Sequence, residues 1–194
     1  MRLSARTWSF VAVAAIFVVD FVTKRMVLAH AEFLRSEGVT LIEGLLRFTY
    51  VRNPGAAFGM LPGQRWIFVA VSAIAVVGLT YLLMRRSTTG LKRVAYTMNL
   101  SGAAGNLVDR IFYDGYVVDF VEMGFRGNTF PVYNVADMGV SIGAAVLILA
   151  LLREGDGESD EREGDGDSDE RVARAEPVDD RAPATADEVD RRDG

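Results

Sequence analysis

Four long apolar segments restrict the fold of this chain more than any other feature does. They run from Thr7 to Ala29, from Trp66 to Met84, from Val94 to about Phe112 and from about Asn134 to Leu152. Each is close to the roughly 20 residues that an α-helix needs to cross the hydrocarbon core of a bilayer. Because backbone polar groups in lipid must be hydrogen-bonded within their own segment, we predict an all-α membrane protein with four transmembrane helices.

Positive charges in the short connections predict the orientation of these helices. Arg2 and Arg6 precede the first segment, and the connection between the second and third segments contains basic residues but no acid: Arg85, Arg86, Lys92 and Arg93. Lys and Arg in short loops remain on the cytoplasmic side of a membrane. We therefore place both termini inside and the loops 30–65 and 113–133 outside.

The first outer loop contains the pattern of a small β-element. The stretches Val39–Ile42 and Leu45–Val51 are rich in β-branched and aromatic residues, with Glu43-Gly44 between them. Two such stretches around a short polar turn are typical of a β-hairpin. The turn sequence Asn53-Pro54-Gly55 follows, so we expect a compact element on the outer membrane surface.

The C-terminal residues 153–194 have a different composition from the rest of the chain. They contain 17 Asp and Glu residues, 7 Arg and no aromatic residue, whereas residues 1–152 carry a net charge of about +5. So few apolar side chains cannot offset the loss of chain entropy on folding. We predict one membrane domain over 1–152 and a disordered acidic cytoplasmic tail over 153–194.

Composition also excludes several kinds of site. The chain has no cysteine, so it forms no disulfide and has no thiol nucleophile or thiolate metal site. His30 is its single histidine, which excludes a multi-histidine metal centre.

Polar side chains of the apolar segments gather near the predicted outer interface. They are Asp20, Lys24, Asn106, Asp109, Arg110, Asn134 and Asp137, and Asp119 lies in the adjoining outer loop. Such groups are costly inside a bilayer and usually mark a functional site. A structural interpretation remains open for some of them: Asp20 pairing with Lys24, Asp109 pairing with Arg110, and Asn134 as a helix N-cap.

Asp119 and Asp137 are the strongest candidates for chemistry, because each stands in an apolar context. Their surroundings are Val117-Val118-Asp119-Phe120 and Val135-Ala136-Asp137-Met138. Two neighbouring carboxyl groups can share one proton, because repulsion and desolvation raise one pKa. Such a pair can activate water and polarise a peptide carbonyl. We therefore predict an aspartic peptidase site.

Three alternatives from other classes are compatible with the same residues. Acids within membrane segments also mark ion-coupled transporters. Lys24 with Ser101 or Ser141 could form a Ser/Lys hydrolase, which would not need Asp119. A membrane scaffold would tolerate the loss of both aspartates.

Five segments resemble the lipoprotein signal peptidases, also called signal peptidase II. They are Asp20–Lys24, Asn53–Phe58, Gly102–Arg110, Val117–Phe120 and Phe130–Asp137, in the order of that family and across most of residues 1–152. The resemblance implies four transmembrane helices with an extracytoplasmic β-cradle. It also implies cleavage of the signal peptide from diacylglyceryl-modified prolipoproteins, just before the lipidated cysteine, without a metal or organic cofactor.

The resemblance also assigns residues to the site. Asp119 and Asp137 match the catalytic aspartates, and eight further positions match those that line or support the site: Asp20, Lys24, Asn53, Gly105, Asn106, Arg110, Asn134 and Ala136. We expect a monomer in the bacterial cytoplasmic membrane that contacts membrane lipid and prolipoprotein substrates, with no nucleic-acid partner and an active site near the outer face.

Overall fold

The computed structural model describes residues 4–55, 65–85, 87–88 and 90–173. Within these ranges it contains five α-helices and four β-strands. The helices are α1 (Ala5–Ala29), α2 (Ala31–Ser36), α3 (Arg65–Met84), α4 (Gly90–Phe112) and α5 (Val135–Ala173). The strands are β1 (Val39–Ile42), β2 (Leu46–Asn53), β3 (Val117–Phe125) and β4 (Asn128–Thr129). The chain divides into two compact units, with the boundary between Leu152 and Arg153.

Two helices of the described chain have the length and hydropathy of a membrane span. They are Trp66–Met84 within α3 and Val135–Glu154 within α5. Only 6 % of the apolar window of α3 is buried inside the protein, whereas the core helix of a soluble protein would be mostly buried. Trp66, Ile74 and Val77 are each at least 70 % exposed. So much exposed apolar surface requires a nonpolar surrounding.

The other two predicted spans, α1 and α4, are helices of 25 and 23 residues but carry more polar side chains. Asp20 and Lys24 of α1 and Asn106 and Asp109 of α4 are buried inside the protein. Such inward-facing groups lower the mean hydropathy of a helix without exposing charge to its surroundings. This explains why α1 and α4 do not reach the hydropathy of α3 and α5.

Small residues allow α4 to approach α5 closely. The Cα of Gly102 faces the backbone of α5, where an added Cβ would collide with the carbonyl oxygen of Ala136. One turn further along α5, a Cβ at Gly139 would lie 3.2 Å from the carbonyl oxygen of Met98. Helices in lipid associate through such close backbone packing. Because α4 also packs against α1 and α3, it is the central helix of the unit Met1–Leu152.

The strands form one antiparallel sheet in the order β1-β2-β3-β4. The predicted hairpin is confirmed: β1 has the predicted bounds, and β2 begins one residue later and ends two residues later than predicted. Gly44 in the turn has a φ of +69°, which glycine adopts without strain. Buried Tyr50, Val118 and Phe120 pack the sheet against Val27 of α1. The sheet therefore lies at the C-terminal end of α1.

Two features differ from the sequence prediction. The sequence treated residues 113–133 as a loop, but the structure places β3 and β4 there. Helix α5 begins at Val135, one residue after the predicted start, and its backbone remains helical to Ala173, although residues 153–194 were predicted to be disordered. A helix that is already formed can be extended without a new nucleation cost, which favours its continuation. The predicted tail residues 174–194 lie outside the described residues.

Candidate active site

Asn134 and Asp137 form the N-terminus of α5. The Asn134 Oδ1 accepts a hydrogen bond from the Asp137 backbone N–H at 2.9 Å, and the Asn134 N–H donates to Asp137 Oδ2 at 3.2 Å. This is a reciprocal capping arrangement, so the N-cap interpretation of Asn134 is confirmed. It fixes the Asp137 carboxylate at a helix N-terminus, where the helix dipole favours negative charge.

Asp119 reaches the same place from the sheet. Its two oxygens accept from Asn134 Nδ2 at 2.6 Å and from Asn53 Nδ2 at 2.8 Å. The register of β2 and β3 pairs Asn53 with Val117, so Asn53 and Asp119 are diagonal neighbours on one face of the sheet. Asn134 therefore contacts both aspartates, through its side chain and through its backbone.

The two carboxyl groups have different surroundings. Asp119 is 1 % exposed, whereas Asp137 is half-buried and lines a cavity. Burial first, and then the neighbouring Asp137 carboxylate, raise the pKa of Asp119 from 3.8 to about 7. Hydrogen bonds from Asn53 and Asn134 and the charge of Lys24 oppose this shift. Asp119 therefore holds a proton up to neutral pH, as a shared-proton pair requires.

A buried ammonium group, that of Lys24, is connected to this site by hydrogen bonds. Lys24 is 1 % exposed, and its Nζ lies 2.9 Å from Asp20 Oδ2 and 3.1 Å from Asp109 Oδ2. The same Nζ donates to Asn106 Oδ1 at 3.0 Å. Asn106 in turn donates from Nδ2 to Asp137 Oδ1 at 2.8 Å. The predicted pairing of Asp20 with Lys24 is confirmed, and a chain of hydrogen bonds links it to Asp137.

The small residues Gly105 and Ala136 allow three helices to meet at Asp20. Asp20 Oδ1 accepts from the Ala136 backbone N–H at 2.8 Å. A Cβ at Gly105 would collide with Asp20 Oδ2 and would lie 3.2 Å from the Ala136 Cβ. Both residues therefore permit the contact between α1, α4 and the first turn of α5 that aligns Asp137.

The predicted pairing of Asp109 with Arg110 is wrong. Asp109 pairs with Lys24 and with Arg25 Nη2, at 3.2 Å, and accepts from the Val118 N–H at 3.1 Å. Arg110 instead donates to Ser72 Oγ at 3.2 Å. Adjacent residues on a helix point about 100° apart and therefore do not face each other.

Arg25 is a charged member of this network that the sequence did not predict. Its guanidinium lies 4.8 Å from the Phe21 ring centroid and 4.3 Å from that of Tyr113, which holds it beside Asp109. Its position within the first apolar segment was the available signal, because a third ionisable side chain there also needs a partner.

A cavity of about 520 Å³ opens beside Asp137. Its polar lining includes Asn53, Asn106, Arg110, Asp137 and Ser141, and its apolar lining includes Val117, Pro131 and Met138. The volume lies within the range of ligand-binding clefts, and its mixed lining suits a peptide with apolar side chains. Residues 56–58 of the Asn53–Phe58 segment lie outside the described residues.

Two other chemistries find less support in this geometry. Among the residues described, no group of three or more His, Asp or Glu side chains is placed to hold a metal ion. The Lys24 ammonium is bound by Asp20, Asp109 and Asn106, and the Ser101 hydroxyl donates to the Met98 carbonyl at 2.8 Å. Lys24 and Ser101 therefore do not form the pair that a Ser/Lys hydrolase needs. Ser141 lines the cavity, and Lys24 is not among the residues that line it.

Comparison with known proteins gives a consistent result. The family model of signal peptidase II matches residues 12–153. The lipoprotein signal peptidase of Symbiobacterium thermophilum is 46 % identical over 145 residues, which cover 74 % of this chain and 93 % of that protein. The lipoprotein signal peptidase of Syntrophomonas wolfei is 38 % identical over 147 residues, which cover 76 % and 93 %.

Two solved structures of bacterial membrane enzymes share this fold. One has a TM-score of 0.70 and 30 % sequence identity, and the match covers 77 % of this chain and 90 % of that one. The other has a TM-score of 0.66 and 31 % identity, with 75 % and 93 % covered. The matches span nearly the whole of those proteins.

Proposed function

The chain belongs to the signal peptidase II family, and we propose that Asp119 and Asp137 are the catalytic pair with which it removes signal peptides from lipoproteins. It is a peptidase of the membrane. Its substrates are prolipoproteins with a diacylglyceryl group on a cysteine, and the bond cleaved is the peptide bond before that cysteine. The observation that carries the assignment is Asn134, a single residue hydrogen-bonded to both carboxylates.

The two carboxyl groups divide the work according to their surroundings. Asp137 faces the cavity and is the ionised partner, while buried Asp119 carries the shared proton. Asp137 takes a proton from water as the water oxygen attacks the carbonyl carbon of the peptide bond. Asp119 gives its proton to the carbonyl oxygen, which produces a neutral tetrahedral diol. Because the pair titrates as a unit, this assignment describes the resting enzyme.

The second step breaks the carbon–nitrogen bond. Asp137 donates the proton it received to the peptide nitrogen, which leaves as the amine of the lipidated cysteine. Asp119 regains a proton from a hydroxyl group of the diol as the carboxylic acid of the signal peptide forms. The pair therefore returns to its starting state with one water consumed. Asn53 and Arg110 line the cavity and are placed to hydrogen-bond the substrate backbone.

We further propose that α1, α3, α4 and the first part of α5 each cross the membrane, with both termini in the cytoplasm. At about 1.5 Å per residue, α1 and α4 are long enough to cross a core of roughly 30 Å. The sheet and Asp119 would then lie at the outer face, where a lipid-anchored substrate presents its scissile bond. We expect the enzyme to act there as a monomer.

A transporter is not supported, because the family and the relatives are peptidases. The buried charged side chains of the described chain, Asp20, Lys24, Asp109 and Asp119, also belong to one cluster with Asn106 and Asn134.

The decisive experiment compares cleavage of a purified diacylglyceryl-modified prolipoprotein by the wild type, Asp119→Asn and Asp137→Asn in detergent. Both substitutions preserve shape and remove the carboxyl chemistry. We expect each to lower kcat by at least about 1,000-fold, since catalytic groups that act as a unit lose nearly all activity together. KM should change little, because the substrate-binding groups remain.

Asp114→Asn is the matched control. Asp114 is an exposed aspartate in the same outer segment, and its backbone φ of +53° is one that Asn also adopts. It should cleave at the wild-type rate. Cleavage that persists in a folded Asp119→Asn or Asp137→Asn enzyme would remove that residue from the mechanism.

A further inference from the structure

Lys24 has a hydrogen bond that its ion pairs do not explain. Two carboxylates, Asp20 and Asp109, already neutralise its ammonium, yet Nζ also donates to Asn106 Oδ1 at 3.0 Å. The same oxygen accepts from Asn134 Nδ2 at 3.2 Å. An ammonium group cannot accept a hydrogen bond, so Nζ can act only as a donor. Asp20 Oδ2 contacts Nζ as an ion pair and receives no hydrogen bond, whereas Asn106 Oδ1 accepts one.

This contact, together with the donation from Asn134 Nδ2 to the same oxygen, determines which way the Asn106 amide points. A carboxamide has an acceptor end and a donor end of nearly the same shape, and it can rotate by 180° if nothing distinguishes them. With the oxygen held by Lys24, the NH₂ group must face Asp137, where Nδ2 donates to Oδ1 at 2.8 Å. In the reversed orientation, two donors would face each other at Lys24 and two acceptors would face each other at Asp137.

We propose that Lys24 is a positioning residue for the reaction: its ammonium locks the Asn106 amide so that this amide donates to Asp137. This inference rests on the proposed catalytic pair. A hydrogen bond to the charged form of a carboxyl group favours that form, and the locked amide therefore keeps Asp137 available as the base. The role differs from holding helices together, because it depends on the charge of Lys24 and acts through one named amide.

The charged groups around Lys24 and Asn106 lie on three elements, α1, α4 and β3. Asp20 lies on the same helix as Lys24, Asp109 on α4 contributes the second carboxylate, and Arg25 pairs with Asp109 from the far side. Asp119 on β3 also senses the Lys24 charge, which lowers its pKa. Loss of the ammonium should therefore move the limb of the pH–rate profile that reports Asp119 to higher pH.

The absence of cysteine in the chain allows a precise test of this charge. Lys24→Cys creates a single thiol, which is alkylated in denaturant before refolding of the full chain into detergent. An S-aminoethyl group restores an ammonium at the length of lysine. An S-propyl group has the same number of heavy atoms with a methyl group in place of the ammonium. The two forms differ only in charge and hydrogen-bonding capacity.

Both forms should be made in an Asp20→Asn background, so that folding does not decide the outcome. The amide carbonyl that this substitution introduces can still accept from the Ala136 N–H, and Asp109 keeps Arg25 as its partner. The neutral form then leaves no buried carboxylate unpaired in this cluster. Thermal unfolding of both forms confirms that they are folded.

We expect the S-propyl form to have a kcat about 100-fold below that of the S-aminoethyl form, the effect of losing one preorganised donor. KM should differ by less than about threefold, since the lost interaction belongs to the reacting groups. Equal kcat values and equal pH profiles would overturn the proposal. Failure of the restored ammonium to recover activity lost by the S-propyl form would overturn it as well.

The hydrogen bonding of the Asn106 amide can also be observed directly by NMR. The chain contains five asparagines, and the Asp20→Asn background adds one more. The Asn106 side-chain NH₂ signal of ¹⁵N-asparagine-labelled protein can be identified by its loss when Asn106→Ala is made in the same background. One NH₂ proton should lie downfield in the S-aminoethyl form, as a donor to a carboxylate, and should move upfield in the S-propyl form. Identical spectra would refute the lock even if Asp119→Asn and Asp137→Asn abolish cleavage. Cleavage retained by those two variants would instead refute the catalytic pair.

Discussion

Asp119 and Asp137 carry the same side chain but have different surroundings. Asp119 receives two side-chain donors but is almost completely buried, and burial dominates its pKa. Asp137 receives a backbone donor and the Asn106 amide at a helix N-terminus, and it faces the cavity. One aspartate is therefore placed to hold a proton and the other to meet water. This division is the pattern by which environments separate acid from base.

The raised pKa of Asp119 predicts a pH dependence of stability. Between its ordinary pKa of 3.8 and its folded value of about 7, the folded protein binds more protons than the unfolded chain. The free energy of unfolding should therefore fall as pH rises through this window, by at most about 1.4 kcal/mol per pH unit. Asp119→Asn cannot titrate and should show a weaker decline. Thermal unfolding from pH 4 to 8 in detergent measures the difference.

Asp114→Asn, the substitution of an exposed aspartate in the same outer segment, should reproduce the wild-type decline. If Asp119→Asn declines as steeply as the wild type, Asp119 is not the group that takes up the proton.

The sequence indicated which polar residues would lie close together better than it indicated which of them would pair. Asp20, Lys24, Asn106, Asn134 and the two aspartates were identified because polar groups in apolar segments need an explanation. Their pairing was less predictable, because it depends on the rotation of each helix about its axis. Asp109 turns towards α1 and away from Arg110, and no composition argument fixes that rotation.

At the scale of elements, short-range patterns were predictable and long-range pairings were not. The hairpin of β1 and β2 has its turn residues beside it in the sequence, so the pattern alone indicated it. Strand β3 pairs with β2 across more than 60 residues, and α3 and α4 separate them along the chain. Its register places Asn53 beside Asp119, and nothing local in the sequence encodes that alignment.

Helix packing around Gly105 gives a prediction at this scale. Gly105→Ala would place a methyl group against Asp20 and Ala136, where α1, α4 and α5 meet. Overpacking of this kind costs about 1–3 kcal/mol. We expect a lower unfolding temperature and reduced cleavage, because Asp20 would move away from the Ala136 N–H.

Gly78 in α3 supplies the matched control, since an added Cβ there meets nothing within 4 Å. Gly78→Ala should leave stability unchanged or raise it by up to about 1 kcal/mol, because alanine favours a helix over glycine. Equal losses in the two variants would show that backbone conformation, and not the three-helix contact, determines the effect.

At the scale of the whole molecule, residues 1–152 and the acidic residues 153–194 can be considered separately. The signal peptidase II match ends at residue 153, next to the boundary between the two compact units at Leu152. Every residue of the candidate site lies before that boundary. The site and its supporting network thus belong to the part of the chain that the family shares.

Topology is the whole-molecule property that can be tested most directly, again because the chain lacks cysteine. Ser87→Cys places a thiol in the connection between α3 and α4, and Asn128→Cys places one in β4 of the sheet; both residues are exposed. With both termini inside, the first faces the cytoplasm and the second faces outward. A membrane-impermeant maleimide added to intact cells should label Asn128→Cys and reach Ser87→Cys only after permeabilisation, and the wild type should stay unlabelled in both conditions. Labelling of Ser87→Cys in intact cells would show that the orientation is the reverse of the predicted one. Asp119 and Asp137 would then lie at the wrong face for a substrate that presents its scissile bond outside.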